Sequence, residues 1–116
     1  MVKVWRRGPW IDFREKISIK TLSYGENCLL VLFKIDSGGQ VPLHSHPQDQ
    51  YGLVISGRGY FTSRDGNVEV AEGDSYHIRS NEEHGFAAIT DVVVIDIFVP
   101  PREDYLKLAR RPDVDY

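Results

Sequence analysis

The stretch Gly38-Gly39-Gln40-Val41-Pro42-Leu43-His44-Ser45-His46-Pro47-Gln48-Asp49-Gln50 runs from a glycine turn into an extended segment bearing two histidines. In an extended chain, alternate side chains share a face, so His44 and His46 present both imidazoles to one point, one pleat apart. Gln50 follows four residues after His46 and reaches the same point after a turn at Pro47. Later in the chain, His84 leads into Gly85-Phe86-Ala87-Ala88 and is expected across an antiparallel closure from the first pair. Neutral imidazole is the commonest ligand for first-row metals, and three of them with one oxygen donor make a complete protein share. His44, His46, Gln50 and His84 are therefore the predicted ligands of one divalent transition metal. Ni, Zn, Mn, Fe and Co all accept these donors. His77, the fourth histidine, is expected to be structural.

Around this segment, short β-type runs alternate with turn residues at the spacing of a sandwich or barrel. Strands are expected over 15–22, 28–35, 41–46, 51–55, 60–62, 68–71, 76–78, 85–89 and 92–99. Turns fall at 23–26, 36–39, 56–59 and 64–67, the last containing Asp65-Gly66, a pair suited to the positive φ angles of a tight hairpin. Val92-Val93-Val94-Ile95 is apolar at both parities, which predicts a strand covered on both faces. Pro100-Pro101 ends it. A short helix is expected over 102–111, with Tyr105, Leu106, Leu108 and Ala109 inward and a loose tail beyond.

The 116 residues fit one domain, 1–116, with the barrel core at about 15–99. The net charge is −3 and no basic cluster stands out, which excludes a nucleic-acid footprint. No apolar run is long enough for a membrane span or a signal peptide. Cys28 is the lone cysteine, so no internal disulfide forms and a reducing, cytoplasmic setting is expected. Its apolar neighbours predict a buried structural thiol.

The spacing Gly38-x5-His44-x-His46-x3-Gln50-x6-Gly57 resembles the first motif of the cupins, with Gln50 where a Glu is usual. The second motif is matched at Gly73 and His84, while Arg79, Asn81 and Ala88 replace its Pro, Gly and Asn. The resemblance implies an all-β fold, a cupin jelly-roll barrel with a short C-terminal helix. Four pieces narrow it: Tyr24-Gly25-Glu26-Asn27, Pro42 to Pro47, Gly73-Asp74-Ser75-Tyr76, and Asp96-Ile97-Phe98-Val99-Pro100-Pro101-Arg102-Glu103-Asp104-Tyr105-Leu106. These are similar to the KdgF-type cupins of pectin and alginate breakdown. That similarity implies three His and one Gln at the metal and conversion of ring-form 4,5-unsaturated uronates to the linear keto acid. It also implies catalytic roles at Asp96, Phe98 and Arg102. Gln48-Asp49-Gln50 and His77-Ile78-Arg79 depart from the runs typical of those proteins.

The chemistry of these residues is consistent with such a role. Four neutral ligands leave the ion its full charge toward substrate, which makes a Lewis acid and an anchor for an anionic oxygen. They match the two-His-one-carboxylate iron oxygenases less well. Asp96 interrupts an apolar strand, where a carboxylate has a solvation cost unless it is paired or used. It could move the protons that hemiacetal opening and enol ketonisation require. Arg102 suits a substrate carboxylate. The expected activity is a metal-dependent isomerase or lyase-type reaction on a small anionic substrate. A metal-dependent dioxygenase and a non-catalytic ligand-binding cupin are the alternatives. Asp96 and Arg102 facing the metal would favour the first. A homodimer is expected, because strand 92–99 and Val2-Lys3-Val4-Trp5 have more apolar surface than one small barrel covers.

Overall fold

The structure, a computed structural model, describes residues 1–109. Among the described residues ten strands form: β1 (Ile11–Arg14), β2 (Ile17–Tyr24), β3 (Leu29–Ile35), β4 (Gln40–His44), β5 (Asp49–Ser56), β6 (Arg58–Ser63), β7 (Gly66–Ala71), β8 (Ser75–Ile78), β9 (His84–Ala88) and β10 (Val92–Val99). Helix α1 (Glu103–Ala109) follows. One sheet runs β1-β2-β3-β10-β5-β8 and the other β4-β9-β6-β7. The two face each other as a cupin jelly roll.

Strand parity decides what lies inside. In β2, Ile17, Ile19 and Thr21 are buried, and in β3, Leu29, Val31, Phe33 and Ile35. Strand β10 is central, paired with β3 on one side and β5 on the other. It buries Val92, Val94, Asp96 and Phe98. Its opposite parity is covered only in part within one chain. Val93 and Ile95 are half-buried, while Ile97 and Val99 stay exposed, beside the exposed Tyr51, Leu53 and Ile55 of β5.

Acidic Glu103 and Asp104 occupy the first turn of α1, where they complement the helix dipole. Tyr105, Leu106 and Ala109 are buried beneath it. Tyr105 meets Phe13, Phe33 and Phe98 edge-on, at centroid distances of 5.5, 5.6 and 5.3 Å. Such edge-to-face contacts lock the helix over one end of the barrel. The remaining predicted helical residues and the tail, 110–116, lie outside the described residues.

Two local expectations are corrected. Cys28 is exposed, not a buried structural thiol, because it sits one residue before the β3 ladder begins at Leu29. Strand β1 was not expected at all. It forms an antiparallel hairpin with β2 whose turn places Lys16 at φ 64°, a conformation its sequence does not advertise.

Gly57 of the first motif stands at φ +85°, and a Cβ there would strike the Asp91 carbonyl oxygen, so the β5–β6 turn needs glycine.

Candidate metal centre and cavity

Strand β4 pairs antiparallel with β9, and the register sets His44 directly opposite His84. The two histidine blocks are therefore neighbours in one sheet rather than on opposite walls. The β4 ladder stops at His44, and the chain continues without pairing through His46 before bending at Pro47 into β5. Ring centroids lie 4.4 Å apart for His44 and His84, 5.0 Å for His46 and His84, and 5.7 Å for His44 and His46. One ring nitrogen from each falls within 4.8 Å of the others, so the three form a group that could hold a metal ion.

Each imidazole is oriented by a nearby carbonyl. His44 Nδ1 lies 2.9 Å from the Pro42 oxygen, His46 Nδ1 3.0 Å from Gln48, and His84 Nδ1 2.8 Å from Glu82. A carbonyl only accepts, so each Nδ1 donates its proton and each Nε2 keeps a lone pair. Burial lowers the His46 pKa, with the Arg102 charge adding to the effect. Burial pushes His84 down to about 4. Both rings are therefore neutral donors at pH 7.

Gln50 is buried, and its Oε1 lies 3.1 Å from His46 Nε2. With the His46 proton committed to Gln48, two lone pairs face each other there, an opposition that a cation relieves. The donor set thus fits a divalent metal, with a neutral amide oxygen beside three imidazoles.

The loop before His84 explains one departure from the motif. Asn81, standing where the motif has Gly, adopts φ 65°, the left-handed region that Asn tolerates better than most residues. Its N–H donates to the His46 carbonyl oxygen at 2.8 Å and ties the two histidine blocks together. The substitution therefore preserves the backbone path.

The group opens on a cavity of about 330 Å³ lined by His44, Gln50, His84, Asp96, Phe98 and Arg102, among others. Asp96 is buried on β10, on the face it shares with Val94 and Phe98. Burial pushes its carboxyl up to about 6, against partial relief from hydrogen bonds with Tyr76 and Gln50. Tyr76 donates its hydroxyl proton to Asp96 Oδ1 at 2.5 Å. Burial, and then the Asp96 charge, hold that hydroxyl well above the usual tyrosine range. Gly52 of β5 lies between Tyr76 and Asp96 in the ladder, and any Cβ there would occupy the space of their contact.

Arg102 lines the same cavity with its side chain 14% exposed. It stacks over Tyr105 and Phe98, 4.0 and 5.4 Å from their ring centroids, and makes a bidentate pair with Asp104 at 3.1 and 2.7 Å. Phe98 is fully buried and meets His46 edge-on at 5.7 Å. His77 faces away. It stacks flat on Tyr51 at 4.3 Å and contacts Asp49 at 3.2 Å on the outer surface.

Tyr76 and Arg14 also line the cavity, and neither was singled out from sequence. Alternation along β8 turns Tyr76 inward with Ile78, but the pairing with β5 that aims it at Asp96 is not a local signal.

A family model described as Cupin domain matches residues 31–98, more than half of the chain, and the chain belongs to the cupin family. It is 36% identical over 79 residues to H2HPP isomerase of Bacillus subtilis, covering 64% of this chain and 32% of that protein. The chain thus spans about a third of that relative's length. Among solved structures it is similar to KdgF from Halomonas sp., with a TM-score of 0.84 and 26% identity over 90% of this chain and 99% of that one. An RmlC-like cupin from Shewanella frigidimarina shares the fold, with a TM-score of 0.80 and 23% identity over 84% of this chain and 88% of that one.

Proposed function

We propose that this cupin is a metal-dependent, non-redox isomerase that shifts a proton within a small acidic substrate. The observation that carries this reading is the buried Asp96 carboxyl, lining the same cavity as His44 and His84 of the converging histidine group. Gln50 is assigned as the fourth ligand. When bound, the metal supplies Lewis acidity and an anchor for an anionic oxygen. Asp96 accepts and returns the proton, and a pKa near 6 suits it to that exchange at neutral pH. Tyr76 holds Oδ1 of Asp96 and fixes the carboxyl in place. Arg102 provides a planar fork for the substrate carboxylate, in exchange with Asp104. Phe98 walls the site beside His46.

Linearisation of 4,5-unsaturated uronates is the form of the reaction that the KdgF likeness supports. Metal-loaded protein is expected to hasten the loss of absorbance from the conjugated double bond of lyase-generated unsaturated galacturonate or guluronate. Decay unchanged from buffer, with metal confirmed present, removes uronates as substrates.

The same reading includes a cytoplasmic homodimer. The exposed row of Ile97 and Val99 on β10 and Tyr51, Leu53 and Ile55 on β5 forms an apolar sheet face suited to a second copy. Gel filtration is expected to give twice the mass of the chain, and a monomeric elution volume would remove this assignment.

A further inference from the structure

Arg102 is held from two sides, and the two holds differ in kind. Beneath it lie the rings of Tyr105 and Phe98, both anchored in the core. Stacking on two buried rings fixes the plane of a guanidinium without using any of its N–H groups. Beside it lies the Asp104 carboxylate, which accepts the Nε and Nη2 protons at 3.1 and 2.7 Å. That edge of the fork is one on which a carboxylate is gripped by two parallel bonds. Asp104 therefore occupies a place that an incoming acid needs, while the rings already orient the fork. It is also loosely held, with its side chain 57% exposed against 14% for Arg102. An ion pair so open to water on one side exchanges readily.

A second guanidinium stands at the same cavity. Arg14, exposed on β1, lines it together with Arg102 and Asp104. Arg14 lies over Phe13 at 5.1 Å, and Phe13 meets Tyr105 at 5.5 Å, so the two arginines flank one pair of rings. Burial pushes the Tyr105 hydroxyl up to about 12, and the charges of Arg102, Asp104, Asp96 and Arg14 all act on it. Among the described residues, no carboxylate forms an ion pair with Arg14.

We propose that Asp104 is a gate on Arg102: an incoming carboxylate takes the Arg102 fork, and the displaced Asp104 passes to Arg14. The gate regulates entry to the site assigned above, and its use in turnover rests on that reading. One fork neutralises one carboxylate. A substrate acid and Asp104 together on Arg102 would leave a negative charge facing the cavity, which Asp96 also lines. Transfer to Arg14 keeps both carboxylates paired. Asp104 and Arg14 are accordingly positioning residues, acting on the bound acid through Arg102.

The test is NMR of the zinc-loaded protein, following the Arg102 Nε–H signal, assigned by its absence from Arg102→Lys. Formate, a bare carboxylate, is titrated in at an ionic strength held constant with chloride, and is expected to shift the signal to saturation. Asp104→Asn, with Asp104→Ser as a second variant if the first fails to fold, is expected to lower the half-saturating formate by about two- to fivefold, the span an exposed pair allows. Arg14→Gln is expected to raise it by a similar factor. In the double variant the Arg14 substitution adds nothing, because the carboxylate it would receive is gone. A signal that ignores formate overturns the proposal. So does half-saturation unchanged or raised in Asp104→Asn, which would make Asp104 a bystander or a support of the fork. An Arg14→Gln effect of equal size with and without Asp104 overturns the transfer, since a long-range charge acts additively. Turnover of unsaturated galacturonate separates the two levels. Turnover without the formate pattern removes the gate and leaves the isomerase assignment, and the formate pattern without turnover leaves the gate and removes uronates.

Discussion

Replacing Asp96 by Asn is expected to lower turnover by about 10²- to 10⁴-fold, the usual contribution of a positioned acid–base group, while metal content stays that of the parent. The substitution conserves volume, and its amide oxygen can still accept the Tyr76 hydroxyl proton, so the fold loses no packing. What it loses is a group that takes up and releases a proton. The same variant has a signature in stability that needs no substrate. In the metal-free protein the Asp96 carboxyl titrates near 6 instead of its ordinary 3.8, because burial disfavours the charge. A group with a raised folded pKa contributes stability that is fully present below pH 4 and lost as pH rises through 6. Its ionisation costs the parent about 3 kcal/mol by neutral pH. The amide of the Asp96→Asn variant does not ionise and has no such cost. Denaturant unfolding of the two metal-free proteins should therefore show the variant gaining on the parent between pH 4 and pH 7. A difference that does not change with pH would show that Asp96 is not held protonated by burial. His84, with its pKa depressed to about 4, acts in the opposite sense, contributing stability above pH 6.5 that is lost as pH falls through 4. It is present in both proteins and cancels in the comparison.

His84→Ala is expected to weaken zinc binding by at least about 100-fold, since even the partners of a ligand are worth 10- to 100-fold. His77→Ala, on the outer surface, is expected to leave it unchanged. Equilibrium dialysis with metal analysis gives both numbers, and parental affinity in the His84 variant would overturn the ligand assignment. Neutral imidazoles at the centre add a pH dependence. Protons compete with the metal for His84 only near pH 4, so loss of this ligand to acid should come at lower pH than for free imidazole.

Much of this site was legible because it depends on parity. Asp96 and Phe98 share a face of β10 by simple alternation, and the glycine frame around His44, His46 and Gln50 is a spacing. What stayed hidden depends on which strand lies beside which. The convergence of His84 on His44 was expected, but not that β4 and β9 are neighbours in one sheet, and Tyr76 meets Asp96 because β8 pairs with β5 across Gly52. Neither adjacency is written locally. Strand β1 was missed for a related reason: Glu15 and Lys16 were read as the start of a strand over 15–22, whereas they form the turn between β1 and β2, and tertiary pairing overrides the reluctance of Lys16 to enter the left-handed region. Cys28 was misjudged by one position, since an apolar run does not mark where its ladder begins. Asn81 shows the converse, a departure from the motif that conserves the backbone angle and hence the site.

The carbonyl partners of the three imidazoles are all close in sequence: Pro42 for His44, Gln48 for His46 and Glu82 for His84. Each ring is thus held by its own stretch of main chain, two residues away, and the barrel only brings those stretches together. The ordering entropy of the rings is settled during folding and not at metal capture. Such a centre differs from a zinc finger, in which the ion organises the chain. An ion held there is expected to leave and return while the barrel stays folded, so that exchange of one metal for another would need no refolding.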